Sequence, residues 1–314
     1  MKLLLLCLAL LHGHPEDTVR TMFWNVENFF DPRADSTSTS ELEFSSRGAR
    51  HWTYKRFRTK CSAIAKAVLY AASECGGAPD IIGLAEVENA RVLRHLTEET
   101  ALRKLEYKAL HFESADKRGI DVALLYRPSR LRLTGARACH ILADDGKPLA
   151  TRDILLATFI TPAGKDIAML VNHHPSKYGG AETSEPRRKK AMETLRFLAD
   201  TLLADGYAVL AMGDMNDTPD NPVFELVEPT LKNLAKELHS QGEGTRFYDG
   251  KWELIDMFFT SSAIKNAEME IMYIPFLQTR DKAATGTKPL RTYSGPRYLG
   301  GVSDHCPVWL QIRR

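Results

Sequence analysis

The sequence predicts a layered α/β domain built on packed β-sheets, not a doubly wound parallel sheet. Apolar runs of strand length recur from Val19 to Ile312, and short runs bounded by Gly, Pro, Asn or Asp read as strands. Long helical periodicity occurs only twice, at Tyr54–Ala72 and Pro186–Leu203, so strict βαβ alternation is scarce. No internal repeat and no low-complexity linker divides the 314 residues, a length that one large domain accommodates.

In chain order, Val19–Val26 reads as a strand and Asp31–Ser46 as a polar loop rich in Ser and Thr. Tyr54–Ala72 places Phe57, Cys61, Ile64, Ala65, Val68 and Leu69 on one helical stripe and a basic face outside. After the break at Gly76–Pro79, Asp80–Ala85 is an apolar strand ending at Glu86, and Ala90–Leu102 is a second, shorter helix. Tyr107–Phe112 and Ile120–Arg127 are strands; Ile154–Thr161 and Asp166–His173 form a hairpin about Pro162–Gly164. Pro186–Leu203 is a helix with a basic first turn, and Tyr207–Met212 is a buried strand. Pro222–Val227 and Thr230–Leu238 read as short helices, Trp252–Thr260 as a strand, Pro275–Gly301 as a long loop and Pro307–Ile312 as the last strand.

The hydrophobic fraction of 44% and charged fraction of 26% suit a globular chain with a substantial core. A formal net charge of +2 gives no global field for a polyanion, so any attraction to one is local. Met1–Gly13 carries one early Lys and a nine-residue apolar run, Leu3–Leu11. That run is too short to span a bilayer and fits a compact export signal. Residues 1–14 are therefore expected to be a signal peptide, residues 15–314 one domain, and the destination periplasmic or extracellular. Cys7, inside the run, is early for a lipoprotein cysteine. Cys61, Cys75, Cys139 and Cys306 form no C-x-x-C pair, which argues against zinc. Their even count permits disulfides without specifying a pairing.

Several strands end in polar side chains that are costly to bury without a purpose. These are Asn25 and Glu27, Glu86, Asn172 and His173, Asp214 and Asn216, Asp256, and Asp304 with His305. A single such ending is a turn or a cap; six of them suggest a pocket at one rim of the sheets. Asp214 and Asn216, two residues apart, pair an acceptor with a group that also donates, which suits holding a water beside the oxygen it attacks. Carboxylate and amide oxygens without a Cys/His set fit a hard cation, Mg²⁺ or Mn²⁺.

The segments WNVEN (24–28), LAEVEN (84–89), VNH (171–173), GDMN (213–216), LID (254–256) and SDHCPV (303–308) occur in an order that resembles the endonuclease/exonuclease/phosphatase superfamily. The likeness runs from Thr21 to Ile312. It implies the deoxyribonuclease-I-like fold: a four-layered two-sheet β-sandwich flanked by helices, with the active site at one rim. It further implies Glu86 as principal metal ligand, completed or supported by Asn25, Glu27 and Asp304. Asp214 and Asn216 would orient water and phosphate. His305 would contact the scissile phosphate with Asp256 fixing its tautomer, and His173 would assist the departing oxygen, with Glu113 a positional guess for its partner.

Candidate substrate contacts are Asn172, Lys177, Arg187, Arg291, Tyr293 and Arg297; the basic helix turn is otherwise a solvated face, and the Arg/Tyr loop otherwise a packed one. The expectation is an exported, monomeric, Mg²⁺-dependent nuclease acting on DNA or RNA. The alternatives are a phosphatase or lipid-headgroup phosphodiesterase on the same scaffold, and an inactive binding module.

Overall fold

The computed structural model describes residues 18–33, 38–177, 180–281 and 286–312. The export signal expected in residues 1–14 lies outside them. Two mixed six-stranded sheets form the core. The first runs edge to edge as β13 (Ala267–Ile271), β18 (Val308–Ile312), β1 (Val19–Phe29), β2 (Ile81–Val87), β4 (Asp121–Tyr126) and β3 (Lys108–His111). The second runs as β5 (Arg132–Cys139), β6 (Ile154–Ile160), β7 (Asp166–His173), β8 (Ala208–Asp214), β12 (Asp256–Thr260) and β9 (Lys232–Asn233).

Each sheet contains one parallel pair, β1–β2 and β7–β8, and every other pairing is antiparallel. The two parallel pairs need crossovers, and these are the long helices α2 (Tyr54–Glu74) and α4 (Ala181–Ala204). The short helix α3 (Ala90–Glu98) packs beside α2.

Period-2 alternation sorts the side chains into layers. Along β1, Val19 and Phe23 belong to the core shared with the second sheet, while Met22, Trp24 and Val26 belong to the core under α2 and α3. Both faces of the first sheet are therefore covered, and four layers result. The sheets approach so closely that a Cβ on Gly83 would lie 2.6 Å from Met212 Sδ. Helix α2 starts at Thr53, whose side chain accepts from the Arg56 N–H and satisfies one otherwise orphaned donor.

Several sequence boundaries move. Helix α4 begins at Ala181, five residues before Pro186, which lies inside the helix and is not the start signal it resembles. Thr230–Leu238 is not a helix but β9 followed by α5 (Lys236–Ser240). Trp252–Thr260 divides: β11 (Lys251–Glu253) pairs with β10 (Arg246–Tyr248) in a hairpin, and β12 starts only at Asp256. The expected loop Pro275–Gly301 holds two small hairpins, β14 (Gln278–Arg280) with β15 (Thr287–Pro289), and β16 (Tyr293–Ser294) with β17 (Arg297–Tyr298). A further short helix, α1 (Thr39–Glu43), lies within the segment read as a loop. Cys61, Cys75, Cys139 and Cys306 are free thiols.

The topology explains why the polar strand ends meet. Strands β1, β2, β7 and β8 all finish at one rim through their parallel pairings. Strand β12 runs antiparallel to β8, so its first residue, Asp256, lies opposite Asp214, the last of β8. Strand β18 runs antiparallel to β1 with Val308 opposite Phe23, which places Asp304 and His305 just before it at the same rim.

Candidate active site

Asp214 occupies the centre of this rim and is 2% exposed. Its Oδ2 accepts from Asn25 Nδ2 at 3.0 Å and lies 3.7 Å from His173 Nε2 and 3.9 Å from His305 Nε2. Its Oδ1 accepts from the Asn216 backbone N–H at 2.9 Å, an Asx turn that also bends the chain out of β8. The Asx turn expected of D-x-N is thus formed, and Asn216 Nδ2 donates to the His174 carbonyl at 3.0 Å. Gly213 makes the geometry possible: a Cβ there would sit 2.4 Å from the Asn172 carbonyl oxygen.

His305 Nδ1 meets Asp256 Oδ2 at 2.8 Å, and Asp256 is fully buried. Burial opposes the imidazolium, but the charges of Asp256, Asp214 and Asp304 outweigh it and push the His305 pKa up to about 10. His305 is therefore a cation at neutral pH. For Asp214, burial raises the carboxyl to about 6, seconded by Asp256 and opposed by His305 and the Asn25 and Asn216 hydrogen bonds. Burial also opposes ionisation of Asp304, yet His305, Arg291 and Arg246 hold it below the usual range. His173 is driven well down by burial and by the nearby Arg152 and Arg118 charges, so it is neutral.

Glu86 stands at the mouth with φ +62°. One oxygen accepts from the Asn28 N–H at 2.7 Å, and the other lies 3.3 Å from Arg118 Nη2. Of the eight non-glycine residues with positive φ among the described residues, four belong here: Glu27, Asn28, Glu86 and Asn216. Such conformations cost about 1–3 kcal/mol each and cluster where geometry serves function.

Glu27 occupies a different place from an open ligand. One oxygen accepts from Arg291 Nη2 at 2.9 Å and Nε at 3.1 Å, and the other from the Thr292 N–H at 3.0 Å. Lys60 of α2 donates to the Glu27 carbonyl and to Thr292 Oγ1. Burial pushes the Glu27 carboxyl up and the Lys60 ammonium down. Glu27 thus anchors Arg291, which reaches Asp304 Oδ2 at 3.2 Å.

Among the candidate substrate contacts, Arg291 reaches the centre and Arg297 is exposed on β17. The others point elsewhere. Tyr293 is 5% exposed and its hydroxyl donates to the Arg50 carbonyl, so it packs and offers no stacking face. Asn172 is fully buried and its Nδ2 stitches β7 to β8 through the Leu170 and Met212 carbonyls. Lys177 pairs with Asp217 at 3.0 Å, and Arg187 donates to the Ala150 carbonyl. The inward member of that basic turn is Arg188, bound to Asp217 at 2.5 Å. Glu113 lies 3.9 Å from His111, and Nδ1 of His173 has no hydrogen-bond partner among the described residues.

Sequence reading missed Arg118. Its guanidinium lies against Glu86 and donates to Asn28 Oδ1 at 2.9 Å. A buried strut holds its loop in place. Asp116 Oδ1 accepts from the Arg118 N–H, and Arg152 joins Asp116 Oδ2 to the His174 carbonyl, which also accepts from Asn216 Nδ2. A basic residue in a polar turn carries no distinctive local pattern; only the fold brings it to Glu86.

The donor chemistry fits a hard divalent cation. Asp214, Asp256 and His305 bring three candidate ligand atoms within 4.8 Å of one another and constitute a possible metal site. Because Asp256 and His305 are already joined by a hydrogen bond, the more open oxygens are those of Glu86 and Asp304. Arg118 and Arg291 each lie in the field of both carboxylates.

A family model described as Endonuclease/Exonuclease/phosphatase family matches residues 20–314. No curated protein sequence matches the chain significantly. Among solved structures, truncated Caenorhabditis elegans TDP2 superposes with a TM-score of 0.60 at 15% identity, covering 95% of this chain and 98% of that one. D. rerio TDP2 complexed with single strand DNA product gives 0.57 at 13%, covering 95% and 100%. The human Nocturnin catalytic domain with bound sulfate anion gives 0.56 at 15%, covering 94% and 93%. The two-sheet sandwich, the convergence of its strand ends and the near full-length match together show that the chain belongs to the Endonuclease/Exonuclease/phosphatase family, with a DNase I-like fold.

Proposed function

We propose that this chain is an exported phosphodiesterase that hydrolyses DNA or RNA with Mg²⁺ or Mn²⁺. The observation that carries the reading is the meeting at Asp214 of two opposed groups: a base-forming carboxylate and the His305–Asp256 pair, 3.9 Å apart. Both groups are shifted upward, Asp214 to about 6 and His305 to about 10, so at neutral pH the first is a proton acceptor and the second a cationic donor, which divides the base and acid roles between them.

Asp214 holds the attacking water and accepts its proton, a role matched to a carboxyl near the working pH. The Asn216 N–H and Asn25 amide keep that carboxylate oriented. His305, cationic, donates from Nε2 to a nonbridging phosphate oxygen as charge accumulates there. His173 is neutral and donates a hydrogen bond toward the departing oxygen. Arg118 and Arg291 clamp phosphate oxygens from either carboxylate of the centre, where a guanidinium fork matches the phosphate geometry. Glu86 and Asp304, with Asn25, are the groups that would hold the cation, which when bound polarises the phosphoryl oxygens as a Lewis acid.

Support for a nucleic-acid substrate comes from the neighbour bound to a single-strand DNA product. Support for export is the Leu3–Leu11 run alone; no helix among the described residues is long and apolar enough to cross a membrane. The test is incubation with supercoiled plasmid and with RNA, each with Mg²⁺ and with chelator. Chelator-sensitive cleavage is expected; turnover confined to phosphomonoesters or lipid headgroups overturns the proposal.

A further inference from the structure

Residues 44–73 contain seven Lys or Arg and no Asp or Glu, in a chain whose net charge is only +2. The segment leads into α2, and two of its side chains tie it to the active-site rim. Lys60 reaches Thr292 Oγ1 at 2.9 Å, directly behind the Glu27–Arg291 pair. One turn earlier, the Arg56 guanidinium lies 4.3 Å over the Tyr298 ring, on the hairpin that presents Arg297. The start of α2 and the β16–β17 hairpin therefore form one rim, continuous with Arg291 and Asp304.

Arg47, Lys55 and Arg297 are exposed beside this rim, and none has a carboxylate within ion-pair distance among the described residues. The acids nearby are otherwise occupied: Glu43 binds Arg50 at 2.7 Å, and Glu99 binds His95 at 2.7 Å. Uncompensated cations repel one another, so a partner anion stabilises such a patch.

We propose that this rim is a docking track for the phosphate backbone of a polynucleotide, which it leads to the Arg291–Asp304 side of the site. The inference rests on the phosphodiesterase reading above and deepens it: the preferred substrate is a polymer, not an isolated phosphoester. Lys55 adjoins Arg56 at the start of α2 and Arg297 lies on the hairpin that Arg56 covers, and guanidinium forks and ammonium groups suit successive phosphates.

The test is a variant combining Arg47→Ser and Lys55→Ser, both on exposed side chains, checked for an unchanged melting temperature. Binding of a labelled single-stranded oligonucleotide is followed by anisotropy in chelator across a salt series. Hydrolysis of bis(p-nitrophenyl) phosphate with Mg²⁺ is followed in parallel. Expected are a loss of affinity of about tenfold or more at low salt and a log–log salt slope shallower by about 0.7 for each phosphate the variant no longer neutralises, with small-ester turnover unchanged. Unchanged affinity and slope would overturn the track. Rim-dependent binding to anionic phospholipid vesicles without oligonucleotide binding would overturn it in favour of a membrane surface. Failure of the wild type to hydrolyse either ester, with rim-dependent oligonucleotide binding intact, would sink the catalytic reading and leave the track standing.

Discussion

Replacing Asp256 by Asn changes one charge at a fully buried position and leaves the side-chain volume nearly intact. The 2.8 Å bond to His305 Nδ1 is charge-assisted, a class worth about 1.5–3 kcal/mol. An asparagine oxygen can still accept from a neutral imidazole, so orientation survives in part. The charge does not: Asp256 is the largest of the attractions that lift His305 to about 10 against the opposing effect of burial. Without it, His305 falls toward or below its ordinary range and is neutral at pH 7.5. The cationic donor to the phosphate is lost, and general acid–base and electrostatic assistance of this kind is worth about 10²–10⁴-fold. A fall of kcat by about 10²–10³ is expected, equivalent to about 3–4 kcal/mol of barrier, with KM nearly constant. Steady-state nicking of supercoiled plasmid gives the kinetics, and long-range ¹⁵N NMR of His305 gives its protonation state. A variant with normal kcat, or one in which His305 stays protonated at pH 7.5, would refute the reasoning.

Arg118→Ala removes a half-exposed cation from Glu86; an ion pair of this exposure is worth about 0.5–1 kcal/mol. Mn²⁺ is then expected to bind about 2- to 5-fold tighter by calorimetry while KM for oligonucleotide rises, and weaker Mn²⁺ binding would contradict this. Gly213→Ala drives a Cβ to 2.4 Å from the rigid Asn172 carbonyl, so a loss of about 1–3 kcal/mol in urea unfolding is expected; unchanged stability would show that β7 and β8 can part freely. His174 is buried and its pKa falls to about 3. The unfolded chain therefore takes up this proton first, so the contribution is complete above about pH 6.5 and is lost as the pH falls toward 3. Between pH 7 and 5 the loss is about 2 kcal/mol. His174→Gln should flatten that part of the stability curve by this amount, and an equal slope in both proteins would be the contrary result.

The strands that carry the site were legible because their signal is local. Asp166–His173 carries the unbroken apolar run Ile167–Val171 with turn residues before it, and the structure reproduces its limits. Strand β5, by contrast, escaped notice: it is a sheet edge with a largely half-exposed sequence, RLTGARAC, whose apolar residues are interrupted by Thr, Gly and Arg, so no apolar run marks it. The polar strand ends were readable as a group since each follows an apolar run. Their roles were less so, because roles depend on partners distant in sequence. Glu27 resembles a ligand until Arg291, 264 residues away, takes its oxygen. Tyr293 resembles a stacking platform until Arg50 captures its hydroxyl. Arg118 has no local signature at all, and its significance comes from the Asp116–Arg152–His174 strut that joins loops of both sheets.

The central claim is that carboxylates at the end of β2 and just before β18, on either side of β1, share one cation. Anomalous scattering from crystals grown with Mn²⁺ tests it most directly. The expected result is a peak bonded to Glu86 at about 2.0–2.2 Å, with Asp304 and Asn25 in direct or water-bridged reach and Arg118 swung aside. A peak only at the separate His111–Glu113–Asp121 group, with Glu86 still held by Arg118, would contradict it.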